Sequence, residues 1–206
     1  MSFFVTLEGP EGGGKSTQAL RLADHLKSQG HDILFTREPG GTKIGDQIRR
    51  VIMSLENKSM SPEAEFLLFS ASRAQVVRQL IQPHLAREGV VVCDRFYDSS
   101  LAYQGYGHEL DLELLRTITG FVTGGLIPDL TFLLDLTSEL GLERRKQDGH
   151  WNRLDDYDLA FHERVRQGYL RLADAEPDRW VRIDAAQTED QIQEQIRGVV
   201  AGRLEM

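Results

Sequence analysis

The segment that decides the fold is the glycine-rich run Gly9-Pro10-Glu11-Gly12-Gly13-Gly14-Lys15-Ser16-Thr17. It fits the pattern G-x-x-x-x-G-K-[ST] and lies between a short apolar run and a segment with helical periodicity. Glycines allow the sharp turn that points successive N–H groups at phosphates, and the helix N-terminus adds partial positive charge. We therefore expect residues 9 to 17 to bind a nucleoside triphosphate, with Lys15 on the β- and γ-phosphates and the Ser16 hydroxyl on Mg²⁺.

Apolar runs alternate with helical patterns along the rest of the chain. The runs are Phe3 to Leu7, Ile33 to Phe35, Val90 to Cys93, Leu130 to Leu136 and Trp180 to Ile183. Near-continuous apolar strands separated by helices predict a doubly wound α/β fold, in which helices cover both faces of a five-stranded parallel sheet.

Local signals place several helix ends. Gly30 is expected to end the first helix, and Ser61 followed by Pro62 is expected to begin a long helix toward Leu85. A last helix is expected from Thr188 to about Arg203. Because no linker or repeat divides the chain, we expect residues 1–206 to form a single domain.

Composition excludes some classes of function. The 206 residues carry 24 basic and 32 acidic side chains, a formal net charge of −8, which argues against binding to nucleic acid or to an anionic membrane. The only cysteine, Cys93, lies in an apolar run, so an intrachain disulfide framework is excluded and a reducing compartment is favoured. The apolar start of the chain is too short for a secretory signal or a membrane span. We expect a cytoplasmic protein.

The glycine-rich motif alone leaves three classes open: a small-molecule kinase, a GTPase-type switch and a non-catalytic nucleotide-binding module. A guanine switch would need an N-K-x-D segment after a later strand. The only Asn-Lys pair is Asn57-Lys58, which continues into Ser59-Met60 and does not follow a strand. The switch is therefore disfavoured.

Charged residues follow two of the predicted strands, at the edge where ligands bind in open α/β sheets. Arg37 follows the second strand, and its guanidinium could hold a phosphate bidentately, although a surface salt bridge is the alternative. Asp94 and Arg95 follow the third strand. Asp94 is expected to reach Mg²⁺ through water, and Arg95 to neutralise either an acceptor phosphate or the group being transferred. A structural Asp-Arg pair is the alternative there. Asp135, at the end of another apolar run, is a second candidate for the metal acid.

A flat ligand is suggested by Phe69 and Arg73, which stand four residues apart and therefore share one helical face. A pyrimidine base fits this pair of an aromatic ring and a planar donor. The alternative is a core phenylalanine beside a solvated arginine. Downstream, the amide of Gln104 offers both a donor and an acceptor, which suits the hydrogen-bonding edge of such a base.

Taken together with the glycine-rich loop, these segments resemble the thymidylate kinase family of P-loop nucleoside-monophosphate kinases, in order and spacing over nearly the whole chain. The segments are Thr36-Arg37-Glu38-Pro39-Gly40-Gly41-Thr42, Phe69 with Arg73, and Asp94-Arg95-Phe96 running on to Ala102-Tyr103-Gln104-Gly105. The resemblance implies ATP-dependent, Mg²⁺-dependent phosphorylation of thymidylate by a homodimer. The long apolar helix from Pro62 to Leu85 is a candidate dimer face, but its periodicity does not distinguish such a face from core. A kinase for another monophosphate or a deoxynucleoside, and a silent nucleotide binder, remain the alternatives.

The resemblance also implies a role for each residue of the acceptor site. It assigns the acceptor phosphate to Arg37, the base to Phe69, Arg73 and Gln104, the sugar to Tyr103 and Glu11, and a polar contact to Ser100. For Arg95, the acceptor phosphate and the transferring group remain the two alternatives. Tyr103 would occupy the space of a 2′-hydroxyl, and Glu11 would hold the 3′-hydroxyl. For Glu11, an outward-pointing solvated side chain is the alternative.

A basic segment at about residues 142–153 is expected to form a mobile lid, in which Arg144, Arg145, Lys146 and Arg153 bracket Gly149. The resemblance implies a catalytic arginine from the P-loop or from the lid. The variable P-loop positions carry no basic residue, so the lid must supply it. Asp148 stands where relatives often have a basic residue, which leaves Arg144, Lys146 and Arg153 open. Arg144 and Arg153 are the favoured candidates, because arginine spreads its charge over a planar fork.

Overall fold

The computed structural model describes residues 2–149 and 151–204, and a sheet of five parallel strands forms its centre. The strands are β1 (Phe3–Glu8), β2 (Ile33–Arg37), β3 (Val90–Asp94), β4 (Leu130–Asp135) and β5 (Trp180–Asp184), in the spatial order β2-β3-β1-β4-β5. β1, β3 and β4 are buried along their whole length, which explains their near-continuous apolar sequence. The predicted five-stranded sheet is confirmed.

Helices cover both faces of this sheet. They are α1 (Lys15–Ser28), α2 (Lys43–Met53), α3 (Pro62–Val76), α4 (Gln82–Leu85), α5 (Tyr97–Ser100), α6 (Leu112–Thr123), α7 (Ser138–Gln147), α8 (Leu159–Ala175) and α9 (Glu189–Leu204). On one face, Leu22 of α1 and Ile196 of α9 belong to a buried cluster with Val5. On the other face, Val76 packs in a cluster with Phe4, the neighbour of Val5 in β1. The doubly wound arrangement is therefore confirmed.

The predicted helix ends have physical causes that the structure makes visible. The Ser61 hydroxyl accepts from the Ala64 N–H at 3.3 Å, and Pro62 is the first residue of α3. The long helix continues through a π-helical stretch, Val77–Ile81, into α4, so it reaches Leu85 as expected. Gly30 follows α1 with a φ of 92°.

Much of the predicted lid segment is helical. Arg144, Arg145 and Lys146 form the last turn of α7, where basic side chains complement the helix dipole. Arg153 begins a short 3₁₀ helix, Arg153–Asp156, which Asn152 caps. His150 lies outside the described residues.

The strand order brings two loops together at the carboxyl edge of the sheet. β1 and β3 are neighbours, with Leu7 in register with Asp94. The Arg95 N–H donates to the Leu7 carbonyl at 3.0 Å, and the Glu38 N–H donates to the Asp94 carbonyl at 3.0 Å. The P-loop after β1 therefore lies beside the segments that follow β2 and β3.

Within the described residues, no helix is long and apolar enough to cross a bilayer.

The P-loop also packs against α7, directly before the predicted lid segment. Gly12 has a φ of 70°, and a Cβ at this position would lie 2.8 Å from the Gly141 Cα and closer still to its carbonyl oxygen. Only glycine allows this approach between the P-loop and α7. Gly14, the N-cap of α1, has a φ of 77° but open space around its missing side chain.

We predict that Gly12→Ala destabilises the protein more than Gly14→Ala. Both changes place an alanine at positive φ, but only the first drives a methyl group into the α7 backbone. The additional loss in the free energy of unfolding should be about 1–3 kcal/mol. Denaturant unfolding of both variants without nucleotide measures it. Equal losses would contradict the close packing of the P-loop on α7.

Candidate active site

A cleft of about 800 Å³ opens at the carboxyl edge of the sheet. The predicted residues that line it are Glu11, Gly12, Gly13, Gly14, Lys15, Ser16, Thr17, Arg37, Phe69, Asp94, Arg95, Ser100, Tyr103, Gln104 and Arg144. Four other predicted residues, Gly9, Pro10, Arg73 and Arg153, do not line it. Residues far apart in the sequence thus meet in one cavity.

The P-loop end of the cleft is built to receive an anion. No side chain caps the N-terminus of α1, because Gly14 is the N-cap, so its first N–H groups are available to a ligand. The Lys15 ammonium is buried and donates to the Pro10 carbonyl at 2.5 Å. Burial, followed by the charge of Arg95, lowers the pKa of Lys15 to about 8. Phosphate oxygens would relieve this desolvation.

Ser16 and Asp94 form the candidate metal pair. The Ser16 hydroxyl donates to Asp94 Oδ2, and the buried Oδ1 of Asp94 has no hydrogen-bond partner among the described residues. Asp135, the second candidate, instead pairs with Arg166 at 2.8 Å and Arg182 at 2.5 Å. The geometry therefore favours Asp94 over Asp135 as the acid beside the P-loop.

Five arginines line the cleft, Arg37, Arg49, Arg95, Arg144 and Arg145, of which Arg37 ends β2 and Arg49 lies in α2. The side chain of Arg37 is 54% exposed and its nearest carboxylate oxygen, on Asp46, is 3.8 Å away, so most of its donors are available. Arg49 donates to the Pro39 carbonyl at 3.0 Å. Burial, and then the charges of Arg37 and Arg95, lower the pKa of Arg49. Like charges held together in this way favour a bound dianion such as a phosphate.

Arg95 joins the ends of several elements. Its φ of 68° is unusual for a residue other than glycine. Its guanidinium donates to the Gly9 carbonyl at 3.0 Å, to Glu11 at 2.9 Å and to the Tyr169 hydroxyl at 3.0 Å. The Tyr103 hydroxyl donates to the same Glu11 oxygen at 2.8 Å. Although burial raises the pKa of Glu11, the charges of Arg95 and Lys15 lower it to about 2.

Glu8 lies beneath Arg95 and is fully buried. Its carboxylate accepts from the Phe96 N–H at 2.6 Å, the Ser99 hydroxyl at 2.6 Å and the Tyr169 hydroxyl at 3.1 Å. The same two hydroxyls accept from Arg95 Nη1. Burial, followed by the charge of Asp98, raises the pKa of Glu8 to about 7. Glu8 thus supports Arg95 through hydroxyl groups.

The far end of the cleft combines an aromatic ring with a buried arginine. Phe69 lines the cleft, whereas Arg73 lies behind it and is 1% exposed. Arg73 donates to Glu38 at 2.7 Å and to the Ser100 hydroxyl at 2.9 Å. Its Nη1 is buried without a hydrogen-bond partner among the described residues. The alternative of a solvated arginine is therefore excluded, and an unused donor is held close to the cleft.

Known proteins are similar to this chain in sequence and in fold. The sequence model of the family described as thymidylate kinase matches residues 7–196. A thymidylate kinase of Deinococcus radiodurans is 52% identical over 97% of this chain and 97% of its own length. One of Roseiflexus sp. is 50% identical over 97% of this chain and 94% of its own length. The chain belongs to the thymidylate kinase family.

A solved structure extends this likeness to the fold. The crystal structure of thymidylate kinase from Ehrlichia chaffeensis superposes with a TM-score of 0.79 at 30% identity, covering 97% of this chain and 98% of that one. The family resemblance read from the sequence is thereby confirmed.

In this member of the thymidylate kinase family, Arg153 does not line the cleft, although the sequence predicts it near the transferring phosphate. Its side chain is 2% exposed and donates to Glu65 at 2.5 Å and to the Ile52 carbonyl at 2.7 Å. Glu65 is a fully buried acid, and a buried carboxylate requires a partner. This ion pair holds Arg153 behind the cleft. The expectation that Arg153 approaches a transferring phosphate is therefore corrected.

The remaining basic residues of the lid segment have different surroundings. Arg144 lines the cleft and donates to the Ala185 carbonyl at 2.9 Å and the Gly12 carbonyl at 3.4 Å. Arg145 lines the cleft as well and pairs with Asp155 at 2.9 Å. The Lys146 ammonium lies 5.9 Å from the centre of the Trp151 ring. Arg144 is thus in direct contact with the P-loop.

Sequence reasoning missed several residues of the site. Glu65 stands four residues before Phe69, on the stripe that also carries Arg73, so an acid on that face was the available signal. Glu8 ends an apolar run directly before the glycine-rich loop. Tyr169 carried no signal, because it continues the apolar stripe of α8.

We predict that Glu8→Gln changes how stability depends on pH. The pKa of Glu8 is about 7 in the folded protein, against an ordinary value of 4.5. The folded state therefore holds this proton more tightly, which contributes stability below pH 4.5 that is lost as the pH rises through 7. The variant has no carboxyl group at this position and therefore no such loss. Between pH 4.5 and pH 7, the free energy of unfolding of the wild type should fall by up to about 3 kcal/mol relative to that of the variant.

Denaturant unfolding at pH 4.5, 6 and 7.5 measures the difference between the two proteins. Glu38, whose pKa burial also raises to about 7, is present in both and cancels in the comparison. A difference that stays constant across this range would contradict the raised pKa of Glu8.

Proposed function

We propose that the protein transfers the γ-phosphoryl group of ATP to thymidylate, giving ADP and thymidine diphosphate. The observation that carries the proposal is a single cleft with a P-loop at one end and an aromatic ring at the other, and with arginines between them. This spacing suits a triphosphate donor and a flat acceptor whose phosphate groups face each other. Membership of the thymidylate kinase family supports the same reaction.

Catalysis in this proposal rests on positioning and on charge, without a covalent enzyme intermediate. Lys15 and the N–H groups of residues 12 to 17 hold the donor phosphates. Arg37 and Arg95 hold the acceptor phosphate in line with them. Arg95 is suited to this task, because its contacts with Gly9 and Glu11 fix its guanidinium beside the P-loop before any ligand binds.

Mg²⁺ is part of the proposal, with Ser16 and Asp94 as its protein ligands, Asp94 acting through water. The unpartnered Oδ1 of Asp94 supports this fit. The described residues contain no cluster of three or more His, Cys, Asp or Glu side chains that could hold a metal. Two oxygen groups are the usual protein contribution where substrate phosphates complete the shell. When bound, the ion would neutralise phosphate charge.

In this proposal, side chains at the end of the cleft away from the P-loop bind the acceptor nucleoside. Phe69 would stack on the base, Arg73 would donate its unused Nη1 to a ring carbonyl, and Gln104 would read the imide edge. Tyr103 and Glu11, joined by a hydrogen bond, would face the sugar and exclude a 2′-hydroxyl. Ser100 would act indirectly, by accepting from Arg73.

A coupled assay of ADP release with a panel of acceptors tests the proposal. Thymidylate should give the highest kcat/KM among the deoxynucleoside and ribonucleoside monophosphates, and EDTA should abolish the reaction until Mg²⁺ is added. Preference for thymidine over thymidylate would indicate a deoxynucleoside kinase. Preference for another monophosphate would reassign the acceptor, and ATP binding without ADP release would indicate a silent nucleotide binder.

We further propose that the segment at about residues 142–153 acts as the lid and that Arg144 is its catalytic arginine. Arg144 lines the cleft and touches the Gly12 carbonyl, so a small movement of α7 would bring its guanidinium to the γ-phosphate. Arg145 is tied to Asp155, which makes it the less suitable candidate.

We predict that Arg144→Ala lowers kcat by about 10³-fold or more while the KM for thymidylate stays nearly unchanged. This pattern marks an interaction made mainly in the transition state. Lys146→Ala, two residues along the same helical turn, is the matched control and should keep nearly normal turnover. Normal turnover in Arg144→Ala would assign the role to another arginine.

A homodimer and a cytoplasmic location complete the proposal. On α6, Phe121 is 84% exposed and Leu114, seven residues earlier on the same face, is 56% exposed; on the adjacent α3, Leu67 is 55% exposed. An apolar face of this kind favours burial against a second copy.

The buried free thiol of Cys93 is compatible with a reducing compartment, and cell fractionation tests the location.

We predict that Phe121→Glu shifts the protein from dimer to monomer, because a charge cannot be buried unpaired at such an interface. Sedimentation velocity at micromolar concentration measures the change. A wild-type protein that sediments as a monomer would contradict the proposed dimer.

A further inference from the structure

A buried carboxylate lies directly behind the base end of the cleft. Glu65 of α3 is fully buried and does not line the cavity, whereas its neighbour Gln104 does. One oxygen of Glu65, Oε2, accepts from Arg153 at 2.5 Å and from the Tyr157 hydroxyl at 3.0 Å. The other, Oε1, accepts from Gln104 Nε2 at 2.6 Å, with His108 Nε2 3.4 Å away.

These contacts decide which way the Gln104 amide points. Burial raises the pKa of Glu65, but the contact with His108, the charge of Arg153 and the hydrogen bond from Gln104 together lower it. Paired with the Arg153 guanidinium at 2.5 Å, Glu65 is an ionised carboxylate, which can only accept hydrogen bonds. It must face the NH₂ end of the Gln104 amide. The carbonyl end, Oε1, is buried without a hydrogen-bond partner among the described residues and is the atom left for the cleft.

We infer that Glu65 determines the base selectivity of this site by fixing the carbonyl of Gln104 toward the acceptor base. The inference rests on the proposed phosphorylation of thymidylate. A carbonyl in this position accepts from the N3–H of thymine or uracil. The N3 of cytosine carries a lone pair instead, so two acceptors would face each other and neither would be satisfied. The site thus selects pyrimidines with an N–H at position 3.

Arg153 binds the oxygen of Glu65 that faces away from Gln104 and so holds the carboxylate in place. It occupies Oε2 of Glu65, and its own Nε donates to the Ile52 carbonyl at 2.7 Å, which fixes it to the end of α2. Arg73, which lies behind the cleft, would supply the matching donor through its unused Nη1. Glu65 and Arg153 are positioning residues, because they act on the base only through Gln104.

The substitution Glu65→Gln is expected to turn the amide group of Gln104 around, so that its NH₂ end faces the cleft. Arg153 only donates, so the carbonyl of the new side chain must stay on the Arg153 side. Its NH₂ group then faces Gln104, which can satisfy it only by turning its own carbonyl inward. The NH₂ group of Gln104 would then point into the cleft and meet a ring acceptor such as the N3 of cytosine.

The test compares thymidylate with 5-methyldeoxycytidylate, which differ only at ring positions 3 and 4. We expect the ratio of their kcat/KM values to fall by about tenfold or more in Glu65→Gln, with the KM for ATP unchanged. Glu63→Gln, the same change at an exposed position of α3, is the matched control and should keep the wild-type ratio. A loss of packing alone would weaken both substrates and leave the ratio in place.

The outcomes separate the two proposals. A wild-type enzyme that does not prefer thymidylate contradicts the proposed function. A wild-type preference that persists unchanged in folded Glu65→Gln overturns the inference while leaving the function intact.

A second measurement uses the wild type and does not depend on how the variant folds. The side-chain NH₂ of Gln104, followed by ¹⁵N NMR, should exchange slowly with solvent before any ligand is added, because Glu65 already holds it. Fast exchange that slows only on addition of thymidylate would show that the NH₂ group faces the base, and would overturn the inference.

Discussion

The register between β1 and β3 is the constraint on which the rest of the site depends. With Leu7 opposite Asp94, the chain leaves both strands at the same level of the sheet. The P-loop and the Asp94-Arg95 segment must then share one space, and the Ser16 hydroxyl meets Asp94 directly. Packing on both faces of these buried strands fixes the register, because a slip of one residue would turn each side chain toward the opposite layer of helices, where its shape does not fit. The site is thus a consequence of how the core packs.

Two separate groups of buried charged residues support the cleft. Arg95 is held between Glu11 above and the hydroxyl groups that Glu8 orients below. Glu65 and Arg153 form the second ion pair, behind the base end. Such pairs contribute little net stability, since desolvation offsets their attraction, but they fix directions. What they fix here are donors and acceptors that face the ligand.

Much of this arrangement could be predicted from the sequence, for identifiable reasons. Continuous apolar runs and the glycine-rich loop predict the parallel sheet and the phosphate end, because both signals are local. The position of Arg153 could not be predicted, because its role depends on Glu65, 88 residues away in the sequence. A basic residue in a polar stretch looks like part of a lid until the acid that captures it is known. The same holds for Tyr169, which reads as core and whose hydroxyl nevertheless contacts Arg95.

The central claim is that one cleft holds donor and acceptor with their phosphates facing each other. A crystal structure with thymidylate and a non-hydrolysable ATP analogue tests it most directly. The account predicts the triphosphate on the P-loop beside Lys15, the thymidylate phosphate between Arg37 and Arg95, and the thymine ring on Phe69. A thymidylate bound outside the cleft, or with its base away from Phe69, would contradict the account.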